Sequence, residues 1–304
     1  MNLTRLGILL SSLLAVVACG NDRAAVPEHS SHAPSGDAGQ GSSSAQPKDS
    51  GLTPERAGVA VTGKVVEFVA ATMIEGPVIP GVKVCVYEHP EVPCVTSDDG
   101  GAFSIGGVPM HSETGLTFVK EGYRSSLHPV ATEDADIAMP DWAGGVLLRD
   151  EAAAGLFRGR APFDPSRGAV TLSTVQPGAR FYGLFDWVLG VGVSVSPAGG
   201  TGPIYLDTAE QPLASATETS GGIVIWADLD PGMYVATFDA AQGSCSSLPN
   251  DSVSTPAIYG YPGTAPNAVR FPVATGFTTS PVTVWCPDGT GSATLLSGHD
   301  GGAP

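Results

Sequence analysis

Thr96-Ser97-Asp98-Asp99-Gly100-Gly101-Ala102-Phe103-Ser104-Ile105 is the stretch that decides how this chain folds. Aspartate followed by glycine between two alternating runs makes a tight turn, because the carboxylate satisfies local backbone donors and glycine tolerates a left-handed backbone. Phe103 and Ile105 then fall on one face of the outgoing strand. Upstream, Val82, Val84 and Val86 alternate with Lys83, Cys85 and Tyr87, the period-two pattern of a sheet buried on one side. His89-Pro90-Glu91-Val92-Pro93 turns the chain, and residues 94–97 return antiparallel. Further out, residues 59–69 read as a strand, Pro77-Val78-Ile79-Pro80-Gly81 as a connection, and residues 116–119 as a strand closing on Glu121-Gly122-Tyr123.

A related order begins 121 positions later. Thr219-Ser220-Gly221-Gly222 precedes Ile223-Val224-Ile225-Trp226, which puts Val224 and Trp226 where Phe103 and Ile105 stand. Leu229 then matches Val108, and Pro231-Gly232-Met233-Tyr234 leads into a strand ending at Phe238. Self-similarity at a fixed offset is the mark of a repeated unit, so two copies of one fold are expected, with Trp226 in the core of the second. Between them, residues 147–157 (Leu-Leu-Arg-Asp-Glu-Ala-Ala-Ala-Gly-Leu-Phe) carry the alanines and charge pattern of a short helix packed on one sandwich. Asp164-Pro165-Ser166-Arg167-Gly168 closes that connector, and residues 169–175 open the second copy. The expected fold class is therefore all-β: two antiparallel β-sandwich modules, residues 59–141 and 168–287, joined over residues 142–167 by a short helical connector. Forty glycines, 26 prolines and only 14% charged residues suit many short strands joined by turns.

The N-terminus carries Arg5 and an apolar run over residues 6–17, an export signal too short to anchor by spanning a bilayer. Val16-Val17-Ala18-Cys19 resembles a bacterial lipobox, which implies removal of residues 1–18, a diacylglycerol thioether on Cys19 and acylation of the new amino terminus. Each buried methylene contributes about 0.8 kcal/mol, so two or three acyl chains hold the protein at a membrane. Gly20 after Cys19 points to outer-membrane delivery in the cell envelope. Residues 19–58, rich in Ser, Gly, Pro, Ala and Asp, read as a disordered tether, and residues 288–304 as a disordered tail. His29 and His32 lie in that tether without other ligands near them in sequence. The 286 residues left after removal of 18 from 304 suffice for two domains.

Several runs carry a family resemblance: Val61-Thr62-Gly63-Lys64-Val65-Val66, Pro80-Gly81-Val82-Lys83-Val84, Thr96 to Phe103, and Val119-Lys120-Glu121-Gly122-Tyr123. Together they resemble the carboxypeptidase regulatory-like module, over about residues 59–132. The resemblance implies transthyretin-like (prealbumin-like) sandwiches of about seven strands, grouped with starch-binding-like folds and without catalytic residues. Residues 168–286 share only the hairpin and the Pro231-Gly232-Met233-Tyr234 turn. Residues 71–75 lengthen the first hairpin, and Cys85 with Cys94 departs from the family pattern.

Fourteen Lys and Arg face 30 Asp and Glu, a net charge of −16 that excludes nucleic acid as a partner. Besides Cys19 there are four cysteines, Cys85, Cys94, Cys245 and Cys286, and an even number in an exported chain suggests two disulfides. Four cysteines allow three connectivities; Cys85–Cys94 with Cys245–Cys286 is the one that staples each module internally. A metal site from Cys85, His89, Cys94 and His111 matches no common zinc spacing. The sequence holds no G-x-S-x-G, H-E-x-x-H, P-loop or dinucleotide fingerprint, and His89, His111 and His128 read as loop histidines. Asp98-Asp99 and Asp228 with Asp230 could offer oxygens to Ca²⁺, but Asp-Gly turns form without metal. Phe181, Tyr182, Phe185 and Trp187, and Tyr259 with Tyr261 in a Pro/Gly-rich loop, are either core or a sugar-stacking platform. The expectation is a non-catalytic envelope lipoprotein without cofactor or metal, whose sandwiches serve structural or protein-binding roles. The alternative is a carbohydrate-binding surface lipoprotein; an accessory subunit of a hydrolase ranks third. Its partners would be the membrane, through the lipid on Cys19, and a protein or glycan ligand.

Overall fold

The computed structural model describes residues 58–68, 75–139, 145–150, 164, 166–175, 188–206, 213, 218–219, 222–240, 244–247 and 259–286. The expected signal, tether, tail and most of the connector lie outside them. The first half of the chain supplies β1 (Val59–Lys64), β2 (Val66–Phe68), β3 (Glu75–Val78), β4 (Lys83–Val86), β5 (Val95–Thr96), β6 (Ala102–Val108), β7 (Glu113–Val119), β8 (Tyr123–Ala131), β9 (Ile137–Ala138) and β10 (Val146–Arg149). The second half supplies β11 (Gly168–Val175), β12 (Val191–Ser196), β13 (Thr201–Tyr205), β14 (Ile223–Leu229), β15 (Gly232–Ala240), β16 (Tyr261–Pro262), β17 (Ala268–Val273) and β18 (Phe277–Trp285). They form a three-stranded sheet β6-β1-β9, a four-stranded sheet β12-β15-β17-β16, and one eleven-stranded sheet. That large sheet runs β13-β14-β11-β18-β8-β10-β2-β3, with β7, β4 and β5 continuing from β8.

The alternation in β4 is realised as read: Val82, Val84 and Val86 are buried, Cys85 is half-buried and Lys83 exposed. Phe103 and Ile105 point into the same core, where Phe103 meets Phe118 edge-on at 5.5 Å. The expected turn at residues 98–101 forms, with the Asp98 N–H donating to the Ala102 carbonyl at 2.9 Å and Gly101 at φ 75°, but β5 and β6 on either side of it do not pair as the expected hairpin. The turn carries the chain from one sheet to the other, since β5 pairs with β4 while β6 pairs with β1. A second core gathers Val170, Leu172, Val224, Trp226, Phe238 and Phe271. Trp226 is 6% exposed and lies on the face of Val224, while Ile223 and Ile225 sit in a separate apolar cluster on the opposite face.

The two halves repeat one hydrogen-bonding scheme. β1 pairs with β6 as Val59↔Val108, Val61↔Ile105, Gly63↔Phe103 and Lys64↔Ala102, with an irregularity after Val59. β11 pairs with β14 as Gly168↔Leu229, Val170↔Trp226, Leu172↔Val224 and Ser173↔Ile223, with an irregularity after Gly168. The offset is 109 on one strand and 121 on the other throughout. Val65 N–H donates to the Gly101 carbonyl at 2.8 Å, and Thr174 N–H to the Gly222 carbonyl at 2.9 Å. A buried hydroxyl pins the next corner in both halves. Ser97 Oγ donates to the Ile79 carbonyl at 3.0 Å and accepts the Val82 N–H at 2.9 Å. Thr219 Oγ1 donates to the Val188 carbonyl at 2.9 Å and accepts the Val191 N–H at 3.1 Å. Gly81 and Gly190 turn the backbone there at φ 68° and 72°, where a side chain would be strained. Thr219 therefore corresponds to Ser97, so the gapless alignment slips by one residue ahead of Gly222.

Three expectations need correction. The sheets are not purely antiparallel: β9 runs parallel to β1, β10 to β2, and β18 to both β11 and β8. β11 is buried along almost its whole length, the pattern of a strand flanked on both edges and covered on both faces, where alternation disappears. Residues 147–149 of the helix expected over residues 147–157 are instead the end of strand β10, held between β2 and β8 with Leu147 fully buried; Asp150 is helical, and residues 151–157 lie outside the described residues. Pairing on both edges outweighs the few tenths of a kcal/mol that separate helical propensities. The connection at residues 77–81 begins as β3, which pairs with β2 despite Pro77, as a sheet-end strand allows.

Candidate functional site

The feature that sets the two halves against each other is the divided edge of β8. Tyr123 and Arg124 pair with β10, whereas Ser125, Ser126 and Leu127 pair with β18 from the second half. Arg124, 6% exposed, fills that junction. Its Nη2 donates to the carbonyls of Arg167 at 2.7 Å and Phe277 at 3.4 Å, and its Nε to Thr278 Oγ1 at 3.3 Å. Burial pulls its pKa down, opposed by the carboxylates of Asp150, Asp164 and Asp228. Nearby, Arg149 grips Glu67 with two bonds of 2.6 and 2.8 Å and lies over the Tyr123 ring, whose hydroxyl donates to Glu67 at 3.0 Å. The Arg149 bonds hold the Glu67 carboxyl below its ordinary value. At the other end of β8, Tyr261 donates to the Thr114 carbonyl and Arg270 pairs with Glu113. Burial pushes the Tyr261 phenol well above its ordinary value, so this hydroxyl is a fixed donor. The first core also takes in Val175, Tyr259 and Trp285 from the second half.

Both disulfides are formed, Cys85–Cys94 and Cys245–Cys286, with Cα separations of 4.3 and 4.0 Å. They lie in different settings: Cys94 is exposed, whereas Cys245 and Cys286 are 1% and 0% exposed within the second core. The histidines are not brought together. His89 Nδ1 meets Glu91 at 2.8 Å, His111 lies between Glu133 at 3.2 Å and Asp134 at 2.9 Å, and His128 is buried 6.5 Å from the Phe118 ring. His128 is thus a core residue of β8 and not a loop histidine. The acidic pairs are engaged by the fold: Asp98 Oδ1 accepts the N–H groups of Gly100 and Ala102, each at 2.9 Å. Asp228 accepts the Asp164 N–H at 2.8 Å and the Thr201 hydroxyl at 3.1 Å, and Asp230 pairs with Arg167. Among the described residues, no group of three or more His, Cys, Asp or Glu is placed to hold a metal. Tyr259 and Tyr261 are 6% and 1% exposed, which removes them as a sugar platform. Phe181, Tyr182, Phe185, Trp187, Cys19, His29 and His32 lie outside the described residues. Sequence reading missed Arg124 and the Ser97/Thr219 pair. The signal available for the latter was a hydroxyl residue a few positions ahead of each Gly-Gly turn.

No family model matches this chain, and no curated protein matches it. Among solved structures, it is similar to GBS52, the minor pilin of Streptococcus agalactiae, at 13% identity, TM-score 0.24, covering 76% of this chain and 98% of that one. A mutant of the shaft pilin SpaA from Lactobacillus rhamnosus GG matches at 12% identity, TM-score 0.21, over 76% of this chain and 98% of that one. The pilus backbone RrgB of Streptococcus pneumoniae matches at 14% identity and TM-score 0.22, over 73% of this chain and 58% of that one.

Proposed function

We propose that this protein is a non-catalytic lipoprotein of the bacterial cell envelope, anchored through Cys19, whose two β-sandwich modules act as a protein-binding or structural body. The observation that carries the non-catalytic part is how the described polar side chains are used. Carboxylates, arginines and buried hydroxyls that a catalyst would hold ready are spent on turns, strand corners and the β8 junction. Two formed disulfides support an oxidising compartment outside the cytosol. Val16-Val17-Ala18-Cys19 supports the lipid, and the first half fits the carboxypeptidase regulatory-like resemblance, a fold that accompanies many activities. Metabolic labelling with a fatty-acid analogue tests the anchor: the wild-type chain takes up label and fractionates with membranes, and Cys19→Ala loses both. A Cys19→Ala chain that stays membrane-bound and labelled would remove the lipoprotein reading.

A further inference from the structure

Superposing the two hydrogen-bonding schemes exposes a difference at one strand edge. In the second half, β13 pairs with the outer edge of β14 as Thr201↔Ala227, Ile204↔Ile225 and Tyr205↔Val224. Subtracting the 121-residue offset, the same places in the first half are Gly106, Ser104 and Phe103 of β6. There, among the described residues, β6 ends its sheet. Its neighbour in sequence, β5, is paired with β4 and tied back by Cys85–Cys94. The first rung of the edge is filled by the turn at residues 98–101, since the Asp98 N–H donates to the Ala102 carbonyl as the Leu206 N–H donates to Ile223. The following rungs belong to Ser104 and Gly106, which face away from β1.

We infer that the β6 edge, at Ser104 and Gly106, is a docking site for an extended segment of a partner polypeptide that adds antiparallel, in the place β13 occupies in the second half. This rests on the protein-binding reading above. The remaining sheet ends among the described residues are guarded. β3, β13 and β16 contain Pro77, Pro203 and Pro262; β5 and β9 are two residues long. The edge of β12 is capped by Thr219 and by the Tyr205 hydroxyl, which accepts the Val193 N–H at 3.0 Å. β6 is a seven-residue strand with neither proline nor charge, and such an edge templates another strand. Ala102, Ser104, Gly106 and Gly107 are exposed, and a Cβ at Gly106 or Gly107 would meet nothing within 4 Å, leaving room for a backbone to approach.

Charge selects the occupant. Exposed Asp99 lies before β6, and His111 beyond its other end is joined to exposed Glu133 and Asp134. Two antiparallel β6 edges from two copies would set these acids against each other, in a chain already at −16. A partner segment with alternating side chains and lysine or arginine at its ends suits the edge instead. The probe is acetyl-Lys-Thr-Val-Thr-Val-Thr-Lys-amide, added to the full chain in detergent while amide hydrogen exchange is followed by residue. The expected result is new protection at Ser104 and Gly106, and weaker protection from the same peptide with glutamate ends. Gly106→Pro removes only an outward N–H, as does Ser104→Pro; with Tm little changed, each lowers affinity by about tenfold. No protection at either amide overturns the site. Protection already present without peptide also overturns it, in favour of a second copy if it rises with protein concentration, and of residues 20–57 of the same chain if it does not. Neither result touches the fatty-acid labelling that tests the lipoprotein reading.

Discussion

The two halves share a backbone scheme down to the bulge after Val59 and Gly168, yet fill it differently. β6 is buried only at Phe103, Ile105 and Val108, while its counterpart β14 is buried at six of its seven positions. Alternation survives where a strand has one partner and one wet face, and vanishes where β13 covers the second edge and Ile223, Ile225 and Ala227 meet an apolar layer. Each half also closes the edge of β4 or β12 in its own way, by strand β5 in the first and by the Thr219 and Tyr205 side chains in the second. Hydrogen-bond geometry is therefore the repeated quantity, and side-chain chemistry is what diverged around it.

The largest test of that comparison is Trp226, which stands where Ile105 stands in the first half. Trp226→Ala should cost about 3–5 kcal/mol and lower Tm by roughly 6–20 °C. Gly202 lies against the ring face, where an added Cβ would approach Trp226 to 2.5 Å, so removing the ring leaves a void beside a residue with no side chain to fill it. A Tm drop below about 2 °C in scanning calorimetry would contradict the core assignment.

The disulfides come next. Sequence separations of 41 and 9 predict that breaking Cys245–Cys286 by Cys→Ala changes costs about 4 kcal/mol and Cys85–Cys94 about 2.7 kcal/mol, on the loop-entropy account. Their settings predict a sharper contrast in kinetics. Mild dithiothreitol should open Cys85–Cys94 in the folded protein, since Cys94 is exposed, β4 stays paired to β7 and Val92 remains in the core. Cys245–Cys286 should resist until the second core opens. Alkylation and peptide mapping over time read both, and simultaneous loss would erase the distinction.

Arg124 tests whether the halves depend on each other. Arg124→Ala leaves the part-buried carbonyls of Arg167 and Phe277 short of a donor and should cost about 1–3 kcal/mol. Exchange at Ser125, Ser126 and Leu127 should rise before exchange in β1 or β12; uniform loosening would argue against a local junction.

Much of this was legible in the chain. The β4 alternation, the turn at Asp98 to Gly101 and the inward faces of Phe103, Ile105, Val224 and Trp226 all follow from local patterns that tertiary contacts reinforce. The parallel ladders were not legible, because pairing of β8 with β18 joins residues more than 150 positions apart and leaves no local trace. The offset of 109 between β1 and β11 escaped for another reason: Ala-Val-Thr recurs at residues 60–62 and 169–171, but at a spacing different from the 121 of the Gly-Gly turn, so a gapless comparison passes over it. Tyr261 read as a loop aromatic because its partner, the Thr114 carbonyl, lies in the other half.

The smallest expected effect belongs to a surface-side lock in the first half. Glu67 ties β2 to β10 and β8 through Arg149 and Tyr123. Its carboxyl is held below the ordinary value, chiefly by the Arg149 hydrogen bonds. A carboxyl with a depressed folded pKa lends stability that is fully present above its unfolded pKa and is lost as the pH falls through the folded one. The wild-type chain should therefore lose stability relative to Glu67→Gln on acidification below the ordinary glutamate range, and exceed it near neutrality. Because Arg149 is half-exposed, the gap should be only about 0.2–1 kcal/mol and should shrink in high salt. Urea unfolding of both chains across the acid range measures it. A difference that stays constant with pH would mean that Glu67 acts through packing alone.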